Sequence, residues 1–139
     1  MTVNLHLEVR QVLRDAGLWC DFEPIHDAPR QADGRVAQFV SLAPAASTPT
    51  YGRATGRASG HTGSVQVRAV GPTVLDCLAV ADKIRLALDG RRLANAGPGG
   101  GRLQQEGFTG VPPTVEPGTD PVRVSLPITY QVITKREHP

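Results

Sequence analysis

Residues 64–88 read SVQVRAVGPTVLDCLAVADKIRLAL, and the periodicity of this segment changes at the Gly71-Pro72 pair. Before that pair, small apolar residues alternate with polar ones, which predicts a strand over 64–70 with one apolar and one polar face. After the pair, apolar residues recur at intervals of three and four, which predicts an amphipathic helix over 74–88. A strand followed directly by a long helix is therefore the centre of the predicted fold.

The predicted helix has recognisable ends. Thr73, followed three residues later by Asp76, resembles a capping box, and Asp89-Gly90 is a typical stop. The breadth of its apolar face predicts deeper burial than for a second helix at the N terminus. That face comprises Val74, Leu78, Ala81, Ile84 and Leu88, widened by Leu75, Ala79 and Leu86.

The second amphipathic helix is predicted over 3–16, with Gly17 as its C-terminal cap and an apolar stripe of Leu5, Val9, Val12, Leu13 and Ala16. Four more strands are predicted over 19–25, 36–43, 102–108 and from 122 onward. Pro127 in the last strand cannot donate a ladder hydrogen bond, which favours an edge position or a bulge. This strand is the strongest, with alternating Val122, Val124, Leu126, Ile128, Tyr130 and Val132.

The order of elements is one helix, three strands, a second helix and two strands. It predicts a single α+β domain over residues 1–139, a mostly antiparallel sheet of about five strands with both helices packed on one face. The opposite face is expected to be polar, since it carries Arg68, Arg123, Thr129 and Gln131. Two segments with few large apolar side chains, 44–63 and 91–101, are predicted to be long loops.

Composition excludes several classes of protein. The chain has 139 residues, 40% hydrophobic and 20% charged, which is ordinary for a globular protein. A net charge of +2 is too small to predict nucleic-acid binding, and no apolar run approaches the length of a membrane helix. The N terminus carries Glu8 and Arg10 instead of the apolar core of a signal peptide. Synthesis in the cytoplasm with Cys20 and Cys77 reduced is therefore expected.

No segment has the pattern of a catalytic or cofactor site. The glycine-rich run 97–101 precedes a strand, whereas a phosphate-binding loop opens a helix. The four histidines have no partner at metal-ligand spacing. The pairs Cys20 with His26 and Ser59 with His61 do not lie at a strand-to-helix elbow. The sequence therefore predicts a protein that is not an enzyme and uses no cofactor or metal.

Several of these segments together resemble the tail terminator, or tail completion, proteins of long-tailed bacteriophages. In that family a strand, a glycine, a helix and a short loop are likewise followed by a final alternating strand. The resemblance covers most of the chain and consists of patterns rather than invariant residues. Its segments are the helix 3–16, the strand end 66–71, the helix 73–88, the loop Asp89-Gly90-Arg91-Arg92-Leu93 and the late strand 121–130.

The resemblance implies a structural virion protein of the phage tail or neck, made in the host cytoplasm, that forms a ring, expected to be hexameric. The ring would cap the last ring of the major tail tube protein, end tube polymerisation and present a surface to head–tail connector proteins. DNA would pass through its lumen without specific binding. The family is not enzymatic and uses no cofactor.

Candidate contact residues follow from the sequence itself rather than from the family. A ring needs two dissimilar surfaces on each subunit, and the available surfaces are the polar sheet face, an edge strand and the two long loops. Arginine suits such contacts because its guanidinium forms paired hydrogen bonds. The candidates for the subunit and tube interfaces are Arg53, Arg57, Arg68, Arg91, Arg92, Arg102 and Arg123.

Two other functions stay open at this point. A head–tail joining protein, which would bind the head side of the neck, shares the same general pattern. A small nucleic-acid-binding module would use five of these arginines, Arg53, Arg57, Arg68, Arg91 and Arg92, although Tyr51 is the only aromatic residue among them to stack on a base.

Overall fold

The computed structural model describes residues 2–44, 48–51, 58–94, 101–105, 112–119 and 121–135. These ranges contain two helices and eight strands. In chain order they are α1 Thr2–Asp15, β1 Cys20–Phe22, β2 Phe39–Pro44, β3 Thr48–Tyr51, β4 Ala58–Gly71, α2 Val74–Leu88, β5 Arg92–Leu93, β6 Gly101–Gln105, β7 Thr114–Val115 and β8 Val124–Lys135.

All eight strands join one sheet in the order β1-β2-β4-β8-β6-β5, with β3 also beside β4 and β7 also beside β8. The β1–β2 pair is parallel and every other pair is antiparallel. The α+β class is confirmed, but the sheet is mixed and has more strands than predicted. It is mixed because residues 23–38 connect β1 to β2 as a long segment instead of a tight hairpin, so both strands run in the same direction.

The prediction of a loop over 44–63 is wrong where β3 and β4 occupy that segment. β3 pairs with β4 from Thr48↔Thr62 to Tyr51↔Ala58, and residues 60–63 of β4 also pair with the end of β8. Ladder pairing makes this part of β4 a strand although it lacks large apolar side chains. The predicted loop over 91–101 likewise contains strand β5, and β6 begins at its last residue, Gly101. Residues 45–47, 52–57 and 95–100 lie outside the described ranges.

The signals that bound the helices act as predicted. The backbone N–H of Asp76 donates to Thr73 Oγ1 at 3.2 Å, and the Thr73 hydroxyl donates to Asp76 Oδ2 at 2.9 Å. α2 stops at Asp89, followed by Gly90 at φ +69°, and α1 stops before Gly17 at φ +86°. Glycine adopts such positive φ values without strain, which ends both helices close to the predicted positions.

The main core lies between the two helices and one face of the sheet, as predicted. Side chains on this face form rows across the strands, as in Leu42, Val67 and Ile128. Tyr130 is fully buried, and its hydroxyl donates to Asp89 Oδ1 at 2.6 Å, at the end of α2. The helices contribute Leu5, Val9 and Leu13 from α1 and Cys77, Val80, Ala81, Ile84 and Leu88 from α2.

α2 presents a narrower face to the core than its sequence predicts. A helix that lies on a sheet contacts it along a single stripe, so the residues that widen the apolar face stay in solvent. The exposed members of the predicted stripe are Val74, Leu75, Leu78, Ala79 and Leu86.

Neither helix of the described residues is long and apolar enough to span a membrane.

The opposite face of the sheet is less polar than predicted, because part of the chain covers it. Val36, Phe39 and Val70 form a second, smaller apolar cluster there, and Ile25 and Ala28 from the segment between β1 and β2 pack against it. That segment therefore supplies one wall of a concave surface on this face.

Pro127 occupies a tolerant position on β8. It lies opposite Arg68 of β4, between the parts of β8 that pair with β7 and with β6. Among the described residues, no strand on that side of β8 requires the hydrogen-bond donor that proline lacks.

Gly71 marks a close approach between β4 and α2. A Cβ atom at this position would lie 2.8 Å from Cys77 N and 2.9 Å from Asp76 Cβ. We expect Gly71→Ala to lower the free energy of unfolding by about 1–3 kcal/mol, the usual effect of overpacking a tight site. Urea unfolding measures this change, with Ser64→Ala on the same strand as the control. Equal stability of Gly71→Ala and the wild type would contradict the prediction.

The two buried thiols make the free energy of unfolding depend on pH in the alkaline range. Burial raises the pKa of Cys20 from 9.0 to about 12 and that of Cys77 from 9.0 to about 11. The unfolded chain releases these protons at lower pH than the folded chain, so the free energy of unfolding should fall as the pH rises above about 9.

Urea unfolding between about pH 8 and 10 measures this decline, which should be shallower in a variant that combines Cys20→Ala with Cys77→Ala. The slope with pH, not the absolute stability, is the quantity to compare, since both substitutions also leave small voids. Identical slopes of unfolding free energy against pH in the wild type and the variant would contradict the assignment of this pH dependence to the two thiols.

Candidate interaction surfaces

The sheet face opposite the helices contains a cavity of about 500 Å³, which we call the sheet-face pocket. Its walls come from four parts of the chain: the turn after β1, the strand β2, the strand β4 and the β7–β8 hairpin. Two carboxylates, two arginines and several apolar side chains line it. They are Glu23, Pro24, Ile25, Phe39, Ser41, Arg68, Val70, Glu116 and Arg123.

Arg68 points into the sheet-face pocket because it alternates along β4 with residues that fill the core. Its Nη1 atom is 3.0 Å from Glu23 Oε1 and 4.0 Å from Glu116 Oε1. The Ser41 hydroxyl, on the neighbouring strand, donates to the same Glu23 oxygen at 2.9 Å. Arg68 is therefore the shared counter-charge of both carboxylates in the pocket.

Arg123 has a different environment in the same pocket. Its guanidinium carbon lies 5.5 Å from the centre of the Phe39 ring, and Trp19 packs edge-on against Phe39 with ring centres 5.7 Å apart. Arg123 Nε is buried and lacks a hydrogen-bond partner among the described residues. Within those residues, no carboxylate oxygen lies within 4.0 Å of the guanidinium. Stacking on a ring holds a guanidinium in place while its edge stays available to an anion.

The β7–β8 hairpin fixes the position of Arg123 relative to Glu116. The Glu116 N–H donates to the Arg123 carbonyl at 2.8 Å. The Thr119 hydroxyl donates to the Glu116 carbonyl at 3.2 Å and accepts from the Arg123 N–H at 3.3 Å. Arg123 also borders a smaller adjoining cavity of about 270 Å³, together with His26, Asp27, Ala28, Arg30, Val36 and Pro121.

A basic edge, composed of Arg91, Arg92 and Arg102, lies at the β5–β6 end of the sheet. Arg92 and Arg102 are direct cross-strand neighbours, and all three residues are exposed. Like charges directly opposite each other destabilise a strand pair. Among the described residues, none of the three forms an ion pair within 4.0 Å. The arrangement therefore favours contact with an acidic surface.

The opposite edge of the sheet, at β1, is covered by side chains. Arg14 Nε donates to the Cys20 carbonyl at 3.0 Å, and Arg10 Nη1 lies 3.2 Å from Asp21 Oδ1. The hydrogen bond from the Phe22 N–H, followed by the contact with Arg10, holds the pKa of Asp21 below its usual range. Because α1 covers part of this edge, strand addition at β1 is disfavoured as a mode of contact between copies.

The exposed large apolar side chains are concentrated on the helix side of the sheet. Six of the nine such side chains in the described residues lie on α1 and α2. A seventh, Val115, is on the same face of the sheet, because it pairs with Val124, whose side chain faces the core beneath the helices. Val122 lies on the same hairpin, and Trp19 lies beside the sheet-face pocket. We call the six residues on the helices the helix-side patch: Val3, Leu7, Val74, Leu75, Leu78 and Leu86.

The predicted contact residues therefore fall into three groups. Arg68 and Arg123 meet in the sheet-face pocket, Arg91, Arg92 and Arg102 share the basic edge, and Arg53 and Arg57 lie outside the described residues. Glu23, Glu116 and Phe39 complete the pocket and are not among the residues predicted from the sequence. No local pattern identifies them, because three separate segments bring them together. The helix-side patch had a usable signal in the excess width of the apolar face of α2.

The described residues contain no group of three or more His, Cys, Asp or Glu side chains arranged to hold a metal ion. Cys20 is buried whereas His26 is exposed, so this pair is not arranged as a nucleophile and base. With its carboxylates, arginines and apolar side chains, the sheet-face pocket can bind charged and apolar groups.

Comparison with known proteins shows a similarity in fold. No known family and no curated protein matches the sequence. The structure is similar to a chain in a solved structure described as the virion of a native gene transfer agent (GTA) particle. The TM-score is 0.53 at 17% sequence identity, and the similarity covers 94% of this chain and 95% of that chain. At this identity the similarity concerns the fold.

The Arg68–Glu23 ion pair should contribute more to stability than an exposed pair. About a third of each of these side chains is exposed, against about half for the Arg35–Asp33 pair in the turn before β2. We expect a double-mutant cycle with Arg68→Met and Glu23→Gln to give a coupling energy of about 1 kcal/mol, and the Arg35–Asp33 cycle about half of that. Equal coupling energies, measured by urea unfolding, would contradict this ranking.

Proposed function

We propose that this protein is a structural component of a phage-like virion, in which its copies form a ring that caps the tail tube and presents the surface for head attachment. The observation that carries the proposal is the similarity in fold to a chain of a gene transfer agent virion, over nearly the full length of both chains. The sequence resemblance to tail terminator proteins is a second reason.

The surfaces of the molecule support a ring. A cyclic assembly joins one patch of a subunit to a different patch of the next. The protein has two such patches on opposite sides of its sheet: the apolar helix-side patch and the charged sheet-face pocket. An isologous dimer, in contrast, would need only one self-complementary patch.

The charge distribution suits the same assembly. A net charge of +2 limits repulsion when several copies close a ring, and it limits attraction to DNA that passes through the lumen. The basic edge of Arg91, Arg92 and Arg102 remains available for the tail tube protein or a connector protein. Arg53 and Arg57 are candidates for the same contact on sequence grounds.

Adding the protein to tail tubes assembled from the major tail protein of the same genome tests the proposal. We expect negative-stain electron microscopy to show a ring at one end of each tube, and tube growth to stop at that end. Native mass spectrometry of the capped complex should give a small fixed number of copies, six for the expected hexamer.

An unrelated small protein with a similar net charge is the control for adsorption to tubes. Tubes that elongate at an unchanged rate and show no terminal ring would contradict the capping role. A ring that binds isolated head connectors but not tubes would assign the protein to head–tail joining instead.

A further inference from the structure

We infer that, within the ring, the exposed face of α2 in one copy docks into the sheet-face pocket of the next, with Asp82 of the first copy paired to Arg123 of the second. The inference rests on the proposed function, because it specifies the contact between copies that a ring requires. It commits the pocket to one occupant, a second copy of this chain.

The exposed face of α2 has the composition of a buried contact. Leu78, Asp82 and Leu86 recur at intervals of four, so they lie along one side of the helix, and Leu75 extends this stripe by one turn. Leu75 and Leu86 are 78% and 89% exposed, although both are large aliphatic side chains. Isolated exposed leucines are common, but an aligned row on a fifteen-residue helix is a typical partner-binding face.

Asp82 is the only acidic residue within this apolar row. Its side chain is 77% exposed, and its nearest cation, Arg85 Nη1, is 3.7 Å away on the same helix. An acid in the middle of an apolar contact requires a cation from the partner surface, because an unpaired carboxylate is costly to remove from water.

The sheet-face pocket offers the complementary features. Ile25, Phe39 and Val70 provide apolar walls in a cavity of about 500 Å³, which has space for a leucine side chain and a carboxylate. The pocket contains two cations. Arg68 is already shared by two carboxylates, whereas Arg123 forms no ion pair among the described residues. Each side thus brings an apolar surface and one charge that its own chain leaves incompletely paired.

The other charges nearby include both signs and leave the contact with one net positive charge, since Arg68 also lines the pocket. Arg85 and Lys83 accompany Asp82 on α2, while Glu23 and Glu116 accompany Arg123 in the pocket. The contact also has the geometry of a head-to-tail assembly, because α2 and the pocket lie on opposite sides of the sheet. Strand pairing at β1 is the less favoured alternative, since Arg10 and Arg14 cover that edge.

Disulfide crosslinking tests this contact directly. A full-length variant that combines Asp82→Cys with Arg123→Cys, oxidised with copper phenanthroline after assembly on tubes, should give a ladder of covalent oligomers up to the ring size. The native Cys20 and Cys77 are buried and should stay unreactive. Each variant with a single substitution should remain monomeric after oxidation. A variant that combines Arg91→Cys with Arg123→Cys is the control for docking through the basic edge.

Charge exchange provides a second, independent measurement. Asp82→Arg and Arg123→Asp should each weaken ring assembly by about tenfold or more, and the variant with both changes should recover to within about threefold of the wild type. Asp15→Arg, a change of charge equal to Asp82→Arg at an exposed position at the end of α1, outside the contact and the basic edge, should leave assembly unchanged. Circular dichroism of each variant checks that it is folded.

The outcomes separate this inference from the proposed function. Rings that assemble normally while the Asp82 and Arg123 variant fails to crosslink, or rings linked by the Arg91 and Arg123 control, would overturn the inference and leave the capping role in place. Wild-type protein that forms no ring on tubes would overturn both. A covalent ladder together with recovery by charge exchange would establish the contact.

Discussion

The hydrogen-bonded ladder between β4 and β8 is the constraint on which the other parts of the structure depend. It runs from Gly60↔Lys135 to Gly71↔Val124 without a shift in register. Since strand side chains alternate between faces, this register assigns every residue of both strands either to the core or to the opposite face. A slip by one residue would place Arg68 under the helices and expose Val67, which explains why the pocket and the core are specified together.

The sheet-face pocket follows from that register and from one long connection. β4 supplies Arg68, the chain before β8 supplies Arg123, and the segment after β1 folds over the same face with Glu23 and Ile25. Arg68 is satisfied by carboxylates from two of these segments, whereas Arg123 is held over an aromatic ring with no acceptor for Nε among the described residues. Of these two neighbouring arginines, Arg68 is therefore paired within its own chain, and Arg123 is the one whose guanidinium edge stays available to an acidic partner.

Local chemistry explains which parts of the fold were predictable. Both helices, their Thr73 and glycine ends, and the final alternating strand follow from short-range periodicity and capping, and they were predicted close to their observed positions. The strand character of residues 58–63 was missed, because pairing with β3 and β8 stabilises it rather than an apolar pattern. The exposed row on α2 was misassigned to the core, since periodicity shows that a helix face is apolar but not what covers it.

The sequence by itself determined the class of the fold, the helix boundaries and the aliphatic core. These features depend on interactions between residues a few positions apart or on composition, so they are legible along the chain. Only the tertiary structure decided that β1 and β2 run parallel, that Glu23 and Glu116 meet at Arg68, and that Arg123 lies over Phe39. Those outcomes depend on long-range register and on the path of one connection, which no local pattern encodes.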